Sequence, residues 1–297
     1  MAKQTETEIL KAKQRKKDKR RKFLRAMFSR RIVIIGVVGT AFFLLCAIFA
    51  PVLAPYDPNK AEFAAALEGP SAAHLLGTDT SGRDVLSRLL YGSRVSLIVG
   101  VVAVMISCAI GTFIGMIAGY YGGWRDHLIM RGCEVMRAIP QTVLAMALIT
   151  IIGRGIQDMA IILGITTVPG YIRMMRSQVM KERSADYITA SRLQGMKMLP
   201  LMYKHILPNC ISPIIVMMTQ QVGATILVEA GLSFLGIGIS IPTASWGSMV
   251  NDGRQFLLSH PILSIAPGVC VALLVISLNL LGDGVRDALD PRLRGSI

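Results

Sequence analysis

Four long stretches of this chain lack any Asp, Glu, Lys or Arg residue, and they constrain the fold more than any other feature. They cover residues 32–56, 95–124, 206–228 and 255–282. The apolar core of a bilayer is about 30 Å thick, and a helix needs about 20 mostly apolar residues to cross it. The composition, 53% hydrophobic and 17% charged, is also too apolar for a soluble protein. The sequence therefore predicts an all-α membrane protein.

Two shorter apolar stretches, 138–153 and 159–172, are separated by a polar turn that contains a glycine. The segment that follows them, 173–205, holds seven basic residues against two acidic ones. Short loops rich in Lys and Arg stay on the cytoplasmic side of a membrane. If the N-terminus is also cytoplasmic, residues 138–172 must cross twice. We therefore predict six transmembrane helices, with both termini in the cytoplasm.

The first 31 residues carry thirteen Lys and Arg residues against three acids, which is +10 of the formal net charge of +14. A basic arm that leads into an apolar stretch indicates a cytoplasmic anchor for the first span, and a nucleic-acid-binding arm is the alternative. The apolar stretch is longer than that of a cleavable signal peptide, so we expect it to be retained. The predicted order is a basic arm, a first span, an extracytoplasmic loop with an amphipathic helix, a five-helix core and a cytoplasmic tail, at residues 1–31, 32–56, 57–94, 95–284 and 285–297.

The sequence offers no pattern for a metal, a disulfide or catalysis. Its five cysteines are scattered with no C-x-x-C pair, and its four histidines show no ligand spacing. No span carries a G-x-S-x-G or H-E-x-x-H motif, which argues against an intramembrane enzyme. We predict a non-enzymatic chain that binds no metal or cofactor itself.

Two features of the spans point to packing or passage. Glu229 interrupts the otherwise uncharged stretch 206–251, and a carboxylate there faces either an interface or a pathway. Glycines at strict four-residue spacing in the second span predict a smooth stripe for close helix contact, although membrane helices are also generally rich in glycine. The stripe consists of Gly111, Gly115, Gly119 and Gly123.

Local capping patterns predict short helices outside the bilayer. On the outer side, the S-x-x-D pattern of residues 81–84 indicates the start of an amphipathic helix. On the inner side, Ser184 is the predicted N-cap of a helix over 185–194. Gly195 suits the left-handed position that ends this helix, and Pro200 can open a second one. The resulting hairpin has no paired carboxylates or nucleophile and base, so we expect it to dock on a cytoplasmic partner.

The hairpin resembles the EAA motif of ABC importer permeases. That motif, E-A-A-x-x-x-G followed nine residues later by I-x-L-P, is approximated by T-A-S-x-x-x-G-x9-H-I-L-P at 189–208. The matching residues are Ala190, Gly195, Leu207 and Pro208. The departures are Thr189 for the glutamate, Ser191 for the second alanine and His205 for isoleucine, with Asp186 as an alternative acid. The resemblance implies that loop 184–208 couples the membrane helices to an ATPase.

Four further stretches extend the resemblance over most of the chain. They are HLLGTDTSGRDVLSRLLYGSRVSL, GYYGG, LSFLGIGISIPTASWGSM and LNLLGDGVRDALDPRLR, at 74–97, 119–123, 232–249 and 278–294. In this order they resemble the permeases of the dipeptide/oligopeptide/nickel ABC importer family, in the subunit type with an N-terminal extension. The resemblance implies the type I importer permease fold in a bacterial or archaeal plasma (inner) membrane.

The same resemblance implies a set of partners. These are a second homologous permease subunit, two ABC ATPase subunits, an extracytoplasmic solute-binding protein and membrane lipid, without nucleic acid. The chain has no G-x-x-x-x-G-K-[ST] phosphate loop, so ATP and magnesium are expected on the ATPases. The expected solutes are dipeptides and oligopeptides. Nickel, glutathione or another small solute is the alternative within this class, and an ion-coupled secondary transporter is the alternative from another class.

Overall fold

The computed structural model describes residues 14, 27–28 and 30–289. Most of the predicted basic arm, 1–31, and the last eight residues of the predicted tail, 285–297, lie outside the described residues. In the described part, regular structure is helical, apart from one isolated bridge between Thr78 and Asp84. The all-α fold expected from the sequence is confirmed.

From residue 31 onward, helices occur at the predicted spans and hairpin, and a further helix over Gly123–Ala138, which the sequence analysis did not predict, precedes the third predicted span. The α-helices are α1 (Arg31–Leu53), α2 (Val85–Tyr121), α3 (Gly123–Ala138), α4 (Gln141–Ile152), α5 (Ile156–Glu182), α6 (Asp186–Leu193), α7 (Met198–Leu201), α8 (Leu207–Phe234), α9 (Trp246–Gly253) and α10 (Ile262–Leu289). A π-helical turn, Met202–Ile206, joins α7 to α8, and short 3-10 turns occur at Phe63–Ala65 and Arg254–Phe256.

Within residues 30–289, four helical stretches are long and apolar enough to cross a membrane alone. They are α1, α2, α10 and the stretch Leu199–Phe234, which contains α8. Helices α3 and α4 pass the same test only together, and they bend by 87° where they meet. α5 has 27 residues and is therefore about 40 Å long, but it is less apolar than α1, α2, α8 and α10. With α3 and α4 as one bent span and α5 as another, the helices are consistent with the predicted six crossings.

The amphipathic helix predicted in the outer loop is not a separate element. α2 runs unbroken from this loop into the membrane, and its N-cap is Asp84, whose carboxylate accepts the backbone N–H of Ser87 at 2.7 Å. Ser81, the first residue of the predicted capping pattern, lies before the helix. Gly92 lies inside this helix rather than at its end, and glycine is required there because a Cβ would lie 2.6 Å from the indole ring of Trp246.

The glycine stripe of α2 faces α5 over three of its four positions. A Cβ on Gly115 or Gly119 would lie 2.6 or 2.8 Å from a carbonyl oxygen of α5, and one on Gly111 would collide with a side chain of the same helix. The prediction is wrong for Gly123, which is not part of the packed stripe, because a Cβ at this position would have no packing neighbour within 4 Å. Gly122 and Gly123 have φ values of +64° and +58°, so the chain leaves the helical register before the fourth glycine.

The helix directions define two ends of the bundle. α5 ends and α8 begins at the same end, where α6, α7 and the π-helical turn connect them; we call this the hairpin end. The loops 54–84 and 235–245 lie at the opposite end, which we call the far end. α2 connects the two ends, and it packs against α1, α5 and α8.

Candidate functional site

The helical hairpin is fastened to the bundle by apolar side chains from both of its arms. Ile188 of α6 is fully buried, and so are Leu201 and Ile206 on the other arm. They form one core cluster with α5 side chains, including Met175 and Val179. Burial of a large aliphatic side chain contributes about 1.5–3 kcal/mol. The hairpin is therefore a rigid extension of α5 and α8.

The turn of the hairpin depends on Gly195, which has a φ of +75°. Around it, the backbone N–H of Gln194 bonds to the carbonyl of Ala190 at 3.1 Å, and that of Met196 to the carbonyl of Ser191 at 3.2 Å. These bonds close the end of α6 in the manner expected of a left-handed C-terminal cap. The space beside Gly195 is open, so backbone conformation alone is the reason for glycine here.

Ser184, the predicted N-cap of the hairpin's first helix, does not cap that helix in the structure. The hydroxyl of Ser184 donates to the carbonyl of Lys181 at 3.0 Å, and Lys181 belongs to the preceding helix, α5. α6 begins at Asp186, and the N–H of Thr189 bonds to the carbonyl of Ala185. Ser184 therefore closes the end of α5 rather than opening α6, because only three residues separate the two helices.

Tyr187 joins the two ends of the hairpin, and the motif analysis missed it. Its hydroxyl donates to a carboxylate oxygen of Glu182 at 2.5 Å and accepts from the side-chain amide of Asn209 at 2.8 Å. Partial burial, together with the hydrogen bond to Glu182, raises the pKa of Tyr187 above its ordinary value. No local pattern predicts this contact, since Asn209 is 22 positions away.

The EAA-like residues occupy both arms of the hairpin. Asp186, Thr189 and Ala190 lie on the exposed face of α6, while Ser191 is half-buried and donates to the carbonyl of Tyr187 at 2.8 Å. Three more EAA-like residues lie where the second arm enters α8: His205 and Leu207 are half-buried there, and Pro208 is exposed.

Large apolar side chains extend the exposed face of the hairpin. Leu193 is 85% exposed, Leu199 63% and Tyr203 51%. All three lie between α5 and α8, within the polar segment that the sequence places outside the bilayer. Exposed apolar groups of this size outside a membrane are typical of a docking surface.

Two arginines tie the base of the hairpin to neighbouring helices. Arg176 of α5 makes a bidentate ion pair with Asp126 of α3, at 2.5 and 2.6 Å. Arg183 donates to the carbonyl oxygens of Gly119 and Tyr120, at 3.3 and 3.2 Å, where α2 ends. Displacement of the hairpin would therefore be transmitted to α2 and α3 as well as to α5 and α8.

Two cavities adjoin one face of α8. The first, of about 620 Å³, lies at the hairpin end between α5, α8 and α10. The second, of about 410 Å³, lies nearer the middle of the helices, between the α3–α4 bend, α5 and α8. We call them the inner and the middle cavity. Met217 lines both, so they lie side by side along the helix.

Glu229 lies in neither of these cavities. Its side chain is fully buried, and it accepts hydrogen bonds from Ser233 at 2.8 Å and from Ser96 of α2 at 3.3 Å. The residue therefore lies at a contact between helices of this chain. The contact with Ser96 was not predicted, because this residue is 133 positions away, whereas Ser233 lies one helical turn from Glu229.

The far end is closed by a charged network. Asp79 pairs with Arg83 at 2.7 Å and with Arg88 at 3.4 Å, and Arg88 also donates to backbone carbonyls of two far-end loops. Burial raises the pKa of nearby Asp252, while Arg83 and Arg88 oppose the rise. Among the described residues, no three His, Cys, Asp or Glu side chains are grouped as a metal site would require.

Comparison with known proteins adds the family. The profile described as "Binding-protein-dependent transport system inner membrane component" matches residues 111–295. The profile described as "N-terminal TM domain of oligopeptide transport permease C" matches residues 20–70. A chain of the MetNI methionine ABC transporter, solved in inward-facing conformations, superposes with a TM-score of 0.54 at 18% identity, over 68% of this chain and 96% of that chain. This similarity supports the permease fold alone.

Curated relatives match nearly the whole chain. The dipeptide transport system permease protein DppC of Alkalihalophilus pseudofirmus is 42% identical over 274 residues, which is 92% of this chain and 90% of the relative. The glutathione transport system permease protein GsiD of Pectobacterium atrosepticum is 38% identical over 275 residues, which is 92% of this chain and 91% of the relative. The chain therefore belongs to the family of binding-protein-dependent transport system inner membrane components, the permease subunits of ABC importers.

Proposed function

We propose that this chain is a permease subunit of an ATP-driven importer for dipeptides and oligopeptides, which an extracytoplasmic binding protein delivers. The observation that carries the proposal is the hairpin 184–208, which is buried on the bundle side and exposes apolar side chains on the other. Such a hairpin, next to cavities along α8, suits a protein that is driven by a partner at one end and passes a solute through its middle.

In this proposal the hairpin end faces the cytoplasm of a bacterial or archaeal cell, and so do both termini. The support is the charge distribution, because the basic residues of 173–205 lie at that end, and so does Arg125 at the start of α3, next to the Asp126 that pairs with Arg176. Lys and Arg in short loops remain on the cytoplasmic side. The far-end network of Asp79 and Arg88 is then extracytoplasmic.

The partners follow from the family and from what the chain leaves uncovered. A second, homologous permease would cover the open side of the cavities, and two ABC ATPases, which bind ATP and magnesium, would dock on the hairpin. The chain itself binds no cofactor in this scheme. Surrounding lipid covers the apolar surface of α1, and nucleic acid has no role.

Coupling would proceed through packed contacts rather than through a flexible loop. Closure of the ATPases displaces the face that carries Asp186, Thr189 and Ala190, and the left-handed turn at Gly195 keeps the two arms in fixed register. The buried side chains and the Arg176–Asp126 pair then pass the displacement to the membrane helices.

Glutathione is a second candidate solute, since relatives named for glutathione transport are 38% identical to this chain. Glutathione is itself a tripeptide, so both candidates require a path for peptide groups. The relatives named for dipeptide transport are 41 to 42% identical, and we therefore favour dipeptides.

The test is uptake by the complete complex in proteoliposomes, with the cognate binding protein outside and ATP inside. We expect ATP-dependent accumulation of labelled dipeptide that requires the binding protein, and weaker or no accumulation of glutathione. Accumulation of nickel without peptide, or accumulation driven by an ion gradient without ATP, would reject the proposal.

A further inference from the structure

One face of α8 is lined with uncharged carboxamides where it meets the cavities. Gln220 lines the inner cavity, and Gln221 lines the middle one. The opposite walls carry two more, Gln178 of α5 in the inner cavity and Gln141 at the start of α4 in the middle cavity. All four side chains are half-buried.

These carboxamides are only partly engaged within the described part of the chain. The amide of Gln141 lies 3.5 Å from the hydroxyl of Thr166, and that of Gln220 lies 3.5 Å from a carboxylate oxygen of Asp283, both at the limit of a hydrogen bond. The side chains of Gln178 and Gln221 make no hydrogen bond to another described residue. A carboxamide without partners is costly in an apolar bilayer, so such groups face water or a polar solute.

The charges around the cavities narrow the class of solute. The inner cavity is lined by two cations, Lys181 and Arg286, and one acid, Glu182, whereas the middle cavity is lined by one cation, Arg137, and by no acidic residue. A divalent metal ion requires anionic or imidazole ligands, which this wall does not offer. Carboxamides, in contrast, have one acceptor and two donors, and they can pair with the C=O and N–H of a peptide bond whatever its side chains are.

We propose that Gln141, Gln178, Gln220 and Gln221 form a carboxamide track that hydrogen-bonds the main-chain peptide groups of the solute as it passes from the middle cavity to the inner cavity at the hairpin end. The inference rests on the proposed function and adds the residues that contact the solute. The track binds the part that all peptides share, so it accepts different side chains. Met217, between the two cavities, supplies the adaptable apolar contact.

The unmodified complex provides the first test. A transported dipeptide that contains a diazirine amino acid is irradiated during turnover, and its adducts are mapped by mass spectrometry. We expect adducts on α8 around residues 217–221 and on the facing turns at 141 and 178. Turnover with adducts confined to other helices or other subunits, or with no adduct on these segments, overturns the track.

Substitution provides the second test. Gln220→Leu and Gln221→Leu together remove two carboxamides with little change in volume, and we expect peptide uptake per ATP hydrolysed to fall about tenfold, the effect of about 1.4 kcal/mol lost in passage. A second double variant, Gln220→Leu with Gln221→Asn, keeps one shorter carboxamide, and we expect it to recover part of the lost uptake. The matched control is Thr219→Val on the same helix, outside both cavities, with its hydroxyl bonded to its own helix.

The outcomes separate the two proposals. If the assembled double variant, with correct subunit stoichiometry on a gel, transports peptide within twofold of the wild type, the track is wrong and the importer remains. If Thr219→Val is impaired as strongly as the double variant, the effect is structural and the track is also rejected. If the wild-type complex takes up no peptide, the proposed function itself fails.

Discussion

Gly195 is constrained by its backbone and Glu229 by hydrogen bonds, so the two residues should respond differently to substitution. A left-handed φ of +75° excludes most side chains even though the space around Gly195 is open. Glu229 has an ordinary helical backbone, but its carboxyl group is enclosed with serine hydroxyls.

We predict that Gly195→Val disrupts coupling without preventing membrane insertion. A β-branched residue at this φ costs about 1–2 kcal/mol, so the turn should change conformation and displace both arms. Uptake should collapse, and ATP hydrolysis should no longer respond to loaded binding protein. Gly195→Asn is the matched control, because asparagine tolerates the left-handed region, and it should retain most of the activity. Normal coupling in the valine variant would exclude this turn from the coupling path.

For Glu229, we predict that Gln is tolerated and Ala is not. Glutamine keeps the shape and can still bond to Ser96 and Ser233, whereas alanine leaves a void and two buried hydroxyls without this partner. We expect the free energy of unfolding to fall by about 2–4 kcal/mol in Glu229→Ala. The measurement is the thermal unfolding midpoint of the purified complex. Equal midpoints for the two variants would mean that the buried contact contributes little.

Among the structural elements, α2 differs clearly from its sequence interpretation. The capping pattern of 81–84 predicted a short surface helix, but the helix that Asp84 caps continues without a break to Tyr121, and Trp246 packs against it at Gly92. Hydrophobic pattern locates apolar segments, and it does not show whether two consecutive helical segments fuse. That depends on what packs against their junction.

The α3–α5 connection yields a prediction at the element scale. Breaking the Asp126–Arg176 pair by Arg176→Met or Asp126→Asn should reduce stability by about 1–3 kcal/mol and weaken coupling, because each change leaves a largely buried charge without its partner. The charge-exchanged double variant should regain part of the loss. A double-mutant cycle on thermal stability and uptake measures the interaction. Purely additive effects would show that the pair is not a mechanical tie.

For the molecule as a whole, the topology is the property that every other proposal depends on. The four unambiguous spans leave the direction of the chain after residue 138 to the bent α3–α4 pair and to α5. The hairpin lies in the cytoplasm if both of these cross, and on the opposite side if only one of them does.

We predict that a reporter fused at Ala66 is extracytoplasmic and one fused at Ser184 is cytoplasmic. The physical reason is the excess of basic residues in 173–205, together with the absence of such an excess in 57–94, which holds four basic residues and five acids. Paired alkaline phosphatase and green fluorescent protein fusions provide the measurement, each reporter serving as control for the other. An extracytoplasmic signal at Ser184 would mean that residues 138–172 cross only once, and it would remove the hairpin from the reach of any ATPase.

The sequence by itself determined the properties that depend on neighbours along the chain. Long uncharged stretches, the left-handed glycine after α6 and the helical hairpin all follow from local hydropathy, helix period and backbone preference, which hold wherever the segment packs. Only the tertiary structure decided which side chains meet, as in Glu229 with Ser96 or Asp126 with Arg176, which is 50 positions away. The same is true of the cavities along α8. The rotation and depth of each helix result from packing over its whole surface, and no short pattern of residues encodes them.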